Sequence, residues 1–241
     1  MSPSSQKAER IRGVILDLDD TLYPEREYLL SGIRAVIEFG ARRLRMPPEA
    51  LQREFDLLLA EAEGRNALFD RLLRRFDAWS PGLAATLVHV YRTHKPQLYP
   101  CPDVIPELRT LKRAGCLLGM VTDGPATVQR AKLEALEVAS FFDALVFTDD
   151  LPPGCRKPSV VPFIVAAEML GLRVQDCAYV ADDPAKDFIG PRELGMRTVR
   201  VNRSLPHPLR EQSEFPESQE ADVVLAGLEG AARVLCSPSQ V

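Results

Sequence analysis

The stretch Val14-Ile15-Leu16-Asp17-Leu18-Asp19-Asp20-Thr21 decides the fold, because a short apolar run leads directly into a cluster of carboxylates. The run is continuous rather than alternating, which is typical of a strand covered on both faces of a parallel sheet. In open α/β sheets the binding site lies beyond the carboxyl ends of the strands. We therefore expect Asp17 and Asp19 to lie at the site.

Five further apolar runs predict buried strands, and segments of helical periodicity separate most of them. The runs lie at 117–121, 144–147, 178–181, 198–201 and 222–225. The helical segments lie at roughly 103–114, 125–138, 159–171, 185–194 and 228–235. Gly115, Gly171 and Gly195 follow three of these segments, where a helix C-cap is expected. This alternation predicts an α/β fold with a doubly wound, Rossmann-like parallel sheet.

The stretch 23–99 differs, because it contains no convincing strand and its apolar residues recur at helical spacing. It predicts an α-helical cap domain inserted into the α/β core. The predicted organisation is a flexible tail at 1–10, a catalytic core at 11–22 and 100–241, and the helical cap at 23–99. Within the core, the polar, proline-bearing stretch 203–220 is expected to form a loop.

The composition of the 241-residue chain excludes several classes of protein. Its net charge is −4 and no basic block stands out, which argues against a nucleic-acid partner. No apolar run is long enough to span a membrane, and the polar residues 1–7 do not resemble a signal peptide. The five cysteines are scattered and form no C-x-x-C pair, which favours reduced thiols. We expect a cytoplasmic protein without a membrane partner; the oligomeric state is unreadable.

Polar residues also follow other predicted strands. Thr122, Asp123 and Gly124 come after the second strand, Lys157 precedes a helix, and Asp182, Asp183 and Asp187 follow the strand at 178–181. Each feature alone is more often a helix cap or a solvated side chain. Five carboxylates then share one crevice, where like charges repel unless a positive charge intervenes; they are Asp17, Asp19, Asp182, Asp183 and Asp187. A lysine and a divalent cation that prefers oxygen ligands, Mg²⁺, would supply that charge.

The order and spacing of these residues resemble the haloacid dehalogenase-like superfamily. Asp17, Asp19 and Thr21 match a D-x-D-x-T motif, and Thr122 ends the strand of a second motif. Lys157 opens a K-P-S-x-x-P-F sequence, and Asp182 with Asp187 is similar to G-D-x-x-x-x-D. The resemblance is to the phosphatase branch of this superfamily. It runs from about residue 12 to 235 and includes the helical insert after the first motif.

The resemblance implies a Mg²⁺-dependent phosphomonoester hydrolase that acts on a small phosphorylated metabolite through an aspartyl-phosphate intermediate. Sugar phosphates, nucleotides and short organic phosphates all stay open as substrates. Asp17 would be the nucleophile. Asp19 would be the general acid and then the base, with its pKa raised by the negative charge of the anion-filled site. The phosphate would be bound by Thr122, Asp123, Gly124 and Lys157. The metal would be bound by Asp17, the backbone carbonyl of Asp19, and Asp182, with Asp187 and Asp183 supporting the ligands and the lysine. The substrate would also contact Glu25 and Arg26.

The sequence departs from the family pattern at several positions, and alternatives stay open. Asp123 stands where many relatives have Asn, Ala181 replaces a usual Gly, and the loop 152–157 carries Arg156 as a candidate phosphate contact. A sugar phosphomutase would use the same aspartates, and a catalytically weak sensor or partner-binding protein could keep the fold. A dehalogenase is disfavoured, because such relatives lack the second aspartate of the first motif.

Overall fold

The computed structural model describes residues 11–61, 65–203, 215–216 and 219–236. The predicted tail at 1–10 and most of the predicted loop at 203–220 lie outside this part of the chain. None of the helices in the described residues is long and apolar enough to cross a membrane.

The core of the fold is a six-stranded sheet in which every neighbouring pair is parallel. Its strands are β1 (Gly13–Leu16), β2 (Leu117–Thr122), β3 (Ala144–Phe147), β4 (Cys177–Ala181), β5 (Arg197–Val201) and β6 (Val223–Leu225). The spatial order is β3-β2-β1-β4-β5-β6. All residues of β1 and β4 are buried, which explains their continuous apolar sequences. The predicted doubly wound α/β fold is confirmed.

The connecting helices are α5 (Val104–Arg113), α6 (Ala126–Ala135), α7 (Val161–Met169), α8 (Ile189–Glu193) and α9 (Ala231–Cys236), numbered after the four helices of the insert. Gly115, Gly171 and Gly195 have φ values of 84°, 66° and 73° just after α5, α7 and α8. This left-handed conformation favours glycine and ends a helix, as the sequence predicted.

The strand order reverses beside β1. The chain passes from β1 outward to β2 and β3, then returns to place β4 on the other side of β1. Leu16 pairs with Val180 in register, and the Asp17 amide donates to the Val180 carbonyl at 2.9 Å. Asp17 and Asp182, which follow β1 and β4, therefore flank the crevice where ligands bind in open α/β sheets.

Residues Glu25–Leu98 form a compact unit of their own, here called the helical unit; the unit that contains the sheet is called the core unit. The helical unit consists of α1 (Glu25–Leu44), α2 (Pro48–Ala60), α3 (Leu68–Arg75) and α4 (Pro81–Thr93). Its apolar core includes Ile33, Phe55, Leu72 and Leu87. The described part of this unit contains no strand.

One predicted helix is shorter than expected. The helix predicted at 185–194 begins only at Ile189, because residues 183–187 close a turn. In this turn the Asp187 amide donates to the Asp183 carbonyl, and the Asp183 amide donates to Asp187 Oδ2, both at 2.9 Å. A side chain that bonds its own local backbone competes with the helix in this way.

Candidate active site

A buried lysine joins two buried carboxylates at the carboxyl end of the sheet. Lys157 Nζ lies 3.0 Å from Asp17 Oδ1 and 2.7 Å from Asp187 Oδ1. It also donates to the Tyr179 hydroxyl at 3.1 Å. The side chains of Lys157, Asp17 and Asp187 are at most 3% exposed. The structure thus brings together three of the predicted site residues, which lie up to 170 positions apart in the sequence.

Burial and charge act against each other in this group. Burial raises the pKa of Asp17 to about 6, helped by the negative charge of Asp187 and opposed by Lys157. Burial alone would lower the pKa of Lys157, but Asp17 and Asp187 raise it well above its ordinary value. Lys157 therefore stays charged, whereas the carboxylate form of Asp17 is held less firmly.

Three buried carboxylates form a candidate metal centre. One oxygen from each of Asp17, Asp182 and Asp187 lies within 4.8 Å of the other two. A cluster of carboxylate oxygens is the donor set that Mg²⁺ prefers. The predicted magnesium site therefore fits these residues, although Asp187 also pairs with Lys157, as a residue that orients the lysine would.

Asp19 lies in a separate, strongly donating environment. Lys132 Nζ lies 2.8 Å from its Oδ1, which also accepts from the Tyr23 hydroxyl. Gln129 Nε2 donates to Asp19 Oδ2 at 2.8 Å and to Thr122 Oγ1 at 2.6 Å. Both oxygens of Asp19 are thus engaged, and Gln129 links Asp19 to Thr122.

These contacts bear on one expectation. The resemblance implied that the negative charge of the anion-filled site raises the pKa of Asp19. Burial does act in that direction, but Lys132, Tyr23 and Gln129 outweigh it and hold the pKa of Asp19 below its ordinary value. These donors act against the effect expected from the charge of a bound anion, and the sequence did not reveal that Lys132 pairs with this carboxylate.

The segment after β2 combines a buried hydroxyl with a sharp turn. Thr122 is 1% exposed and Gly124 has a φ of 119°, as expected for a turn that needs glycine. Asp123 Oδ1 accepts from Thr148 Oγ1 at 2.7 Å and, over 3.4 Å, from the Lys157 amide. The carboxylate of Asp123, which stands where many relatives have Asn, therefore has nearby hydrogen-bond donors. It links the segment after β2 to the loop that carries Lys157.

Other predicted residues are engaged locally. Asp183 Oδ1 accepts from the Ala185 amide at 3.1 Å and so caps a turn. Arg156 is 59% exposed and pairs with Asp149 at 2.9 Å. In the helical unit, Glu25 begins α1 and pairs with Arg65 at 3.1 Å, while Arg26 is exposed. Their predicted roles towards phosphate, metal or substrate stay predictions.

Four residues close to the site were missed in the sequence as functional candidates. Gln129 and Lys132 point inward from α6, and Lys186 lies near Asp17 and Asp187. Arg203 donates to the Thr21 carbonyl from Nε at 3.3 Å and from Nη2 at 3.1 Å. The spacing of Gln129 and Lys132, three positions apart on one helix, was the available signal, because such residues share a face.

Comparisons with known proteins agree with this geometry. The model of the family described as haloacid dehalogenase-like hydrolase matches residues 11–195. A glyceraldehyde 3-phosphate phosphatase of Methanopyrus kandleri is 39% identical over 200 residues, which cover 80% of this chain and 84% of that protein. A phosphoglycolate phosphatase of Xanthomonas campestris pv. campestris is 29% identical, with 89% and 91% covered.

A solved structure supports the same assignment. The HAD phosphatase from Thermococcus onnurineus has a TM-score of 0.61 and 25% sequence identity, with 95% of this chain and 100% of that chain covered. The predictions of the family and of a phosphatase are confirmed by these matches. The chain therefore belongs to the haloacid dehalogenase-like hydrolases and is an enzyme of their phosphatase branch.

Proposed function

We propose that this enzyme hydrolyses phosphate monoesters of short primary alcohols, with Asp17 as the nucleophile and Mg²⁺ as the cofactor. The observation that carries the proposal is the completely buried Lys157, held 3.0 Å from Asp17 at the carboxyl end of β1. A carboxylate beside a fixed cation can approach a phosphate dianion that would otherwise repel it.

In the first step the Asp17 carboxylate attacks phosphorus, and the bond from phosphorus to the alcohol oxygen breaks. Asp19 takes up a proton when the negative charge of the substrate enters the site, and it gives this proton to the departing alcohol oxygen. Lys157 and Thr122 bind the phosphate oxygens. In the second step water attacks the phosphorus of the aspartyl phosphate, and Asp19 accepts the proton of that water. Inorganic phosphate leaves and Asp17 is restored.

The cofactor assignment depends on the cluster of buried carboxylates. Asp17, Asp182 and the backbone carbonyl of Asp19 are the proposed ligands, and Asp187 supports Lys157. When bound, Mg²⁺ supplies positive charge that offsets the charge of the phosphate oxygens. Chelation is expected to abolish turnover and added Mg²⁺ to restore it, while Asp182→Asn weakens Mg²⁺ binding measured by calorimetry.

The proposed substrate class comes from the chemistry shared by the relatives' named substrates. Glyceraldehyde 3-phosphate and phosphoglycolate are both phosphate monoesters of a small primary alcohol that carries a second oxygen function. Their leaving groups are strongly basic alkoxides, which need a proton in the transition state. The pairing of Asp17 with a second aspartate, Asp19, suits such substrates.

We assign the choice of the leaving group to the helical unit. Its place in the sequence supports this, because it begins two residues after Tyr23, whose hydroxyl donates to Asp19. Arg26 is exposed at the start of α1 and is the residue proposed to contact substrate. Arg26→Ala is then expected to raise KM while kcat changes little, as for lost uniform binding.

The test is phosphate release with Mg²⁺ from glyceraldehyde 3-phosphate, phosphoglycolate, phosphoserine and 4-nitrophenyl phosphate. Wild type is compared with Asp17→Asn and with the matched control Asp20→Asn, a carboxylate of the same loop. We expect release by wild type and by Asp20→Asn, and none by Asp17→Asn. Release by Asp17→Asn at the wild-type rate would overturn the nucleophile, and an inactive wild type would favour a mutase or a sensor.

A further inference from the structure

Helix α6 turns two polar side chains into the interior of the core unit. Gln129 is 1% exposed and Lys132 is 4% exposed. Burying a lysine ammonium is strongly unfavourable unless a countercharge and hydrogen bonds compensate for the lost water. Such a lysine on a helix that also buries Val128 and Leu133 indicates a specific role rather than general packing.

The compensation comes from Asp19. Lys132 Nζ lies 2.8 Å from Asp19 Oδ1, and Gln129 Nε2 donates at 2.8 Å to Asp19 Oδ2. Gln129 also reaches Thr122 Oγ1 at 2.6 Å. Two donors on one rigid helix therefore hold the two oxygens of one carboxyl group and fix the orientation of its plane relative to Thr122.

We propose that Lys132 and Gln129 are positioning residues for the proton transfer made by Asp19, a role that rests on the proposed function. As the Asp17–phosphorus bond forms and the bond from phosphorus to the alcohol oxygen breaks, the O–H bond of Asp19 breaks and an O–H bond forms on the alcohol. Asp19 becomes a carboxylate, and the ammonium of Lys132 stabilises this new negative charge. Gln129 keeps that carboxyl group in register with Thr122, which binds the phosphate.

This role differs from a merely structural one in its dependence on the leaving group. A primary alkoxide needs the proton of Asp19, whereas 4-nitrophenolate is a weak base and leaves without it. A group that acts through Asp19 must therefore affect alkyl phosphates more than aryl phosphates. A residue that only stabilises the fold lowers the activity on both kinds of substrate equally.

The experiment measures kcat/KM, which reports the steps up to release of the alcohol, for glyceraldehyde 3-phosphate and 4-nitrophenyl phosphate. For Lys132→Met we expect a loss of about 10²-fold on glyceraldehyde 3-phosphate and of less than about tenfold on 4-nitrophenyl phosphate. Gln129→Leu is expected to show the same asymmetry to a smaller degree. Lys132→Arg, which keeps the charge, restores most of the activity on the alkyl phosphate.

Two controls fix the interpretation. Arg130→Met removes a cation from the same helix. Arg130 pairs with Asp150, and both side chains are about half exposed, so this variant is expected to leave kcat/KM for both substrates unchanged. In an Asp19→Asn background, adding Lys132→Met is expected to change kcat/KM by less than about threefold, because the two residues act as one unit. Circular dichroism and thermal unfolding confirm that each variant is folded.

The outcomes separate the inference from the proposed function. Equal losses on the two substrates, or a full additional loss in the Asp19→Asn background, would overturn the positioning role and leave the phosphatase proposal standing. A wild type that hydrolyses neither ester would overturn both. If Lys132→Met fails to fold, Gln129→Leu gives the same comparison, and equal losses on the two substrates in that variant overturn the positioning role.

Discussion

The helical unit and the core unit use charge in opposite ways. In the helical unit, Arg75 is 43% exposed and pairs with Glu61 at the surface, while the apolar core includes Phe55 and Leu72. In the core unit, Lys157 is buried completely and takes its place between buried carboxylates. Exposed ion pairs contribute little to stability, whereas a buried charge is tolerated only with its partner. The difference is consistent with the chemical role proposed for the buried charges of the core unit.

The largest expected effect is the loss of the buried cation. Lys157→Met leaves Asp17 and Asp187 buried without their shared partner, which is expected to lower the free energy of unfolding by about 3–5 kcal/mol. Urea unfolding in the presence of a chelator measures it. The neighbouring Arg156→Met breaks only an exposed pair with Asp149 and is expected to cost less than about 1 kcal/mol. Equal losses of unfolding free energy in the two variants would contradict the expected difference between a buried and an exposed cation.

A smaller effect is expected from pH. Burial raises the pKa of Asp17 to about 6 from its ordinary 3.8, so the folded state keeps a proton that the unfolded state has lost. In the metal-free protein, the contribution of Asp17 to stability is present below pH 4 and is lost as the pH rises through 6. Above pH 7, Asp17→Asn should be more stable than wild type by on the order of 3 kcal/mol.

Chemical unfolding of both proteins from pH 4 to 7.5, in the presence of a chelator, gives this difference. A stability difference that stays constant over the whole range would contradict the raised pKa. Asp20→Asn serves as the control for the removal of a carboxylate from the same loop.

The partly buried pair of Arg203 and Asp103 is expected to contribute less to the free energy of unfolding than Lys157 does, and more than an exposed pair. Arg203 Nη1 lies 2.9 Å from Asp103 Oδ1, and the same guanidinium donates to the Thr21 carbonyl. Arg203→Met is expected to lower the free energy of unfolding by about 2 kcal/mol at neutral pH, from the lost charged hydrogen bonds. Burial would raise the pKa of Asp103, but Arg203 and the Leu228 amide hold it below its ordinary value.

The stability from this pair is therefore present above the ordinary pKa of 3.8 and lost as the pH falls through the lower folded value. Denaturant unfolding at pH 7 and at pH 3 should show wild type and Arg203→Met converging in acid. Curves that stay equally far apart would mean that Arg203 acts through packing and not through its charge.

The smallest effect is expected in the helical unit. Arg75 is 43% exposed and pairs with Glu61 and, at 3.4 Å, with Glu54. Arg75→Met should change the free energy of unfolding by less than about 1 kcal/mol, and added salt should remove even that. Thermal unfolding at low and high ionic strength is the measurement. A loss comparable to that of Lys157→Met would mean that the two units do not differ in their use of charge.

Asp123 shows why some contacts of the site could not be predicted from the sequence. The resemblance named it among the phosphate-binding residues, and in the structure its carboxylate accepts from Thr148 and from the Lys157 amide. Thr148 follows β3 and Lys157 lies on a later loop. No local pattern links these three positions, because the parallel sheet alone makes their segments neighbours.

The strands, and the strand ends at which Asp17, Thr122 and Asp182 stand, can be predicted from the sequence alone. Continuous apolar runs identify strands buried on both faces, and parallel strands carry their carboxyl ends to one edge. Only the tertiary structure decided the environment of each carboxylate. Lys132 lies 113 positions from Asp19. The pKa of a buried group depends on the charges within a few ångströms, and only the packed fold decides which residues supply them.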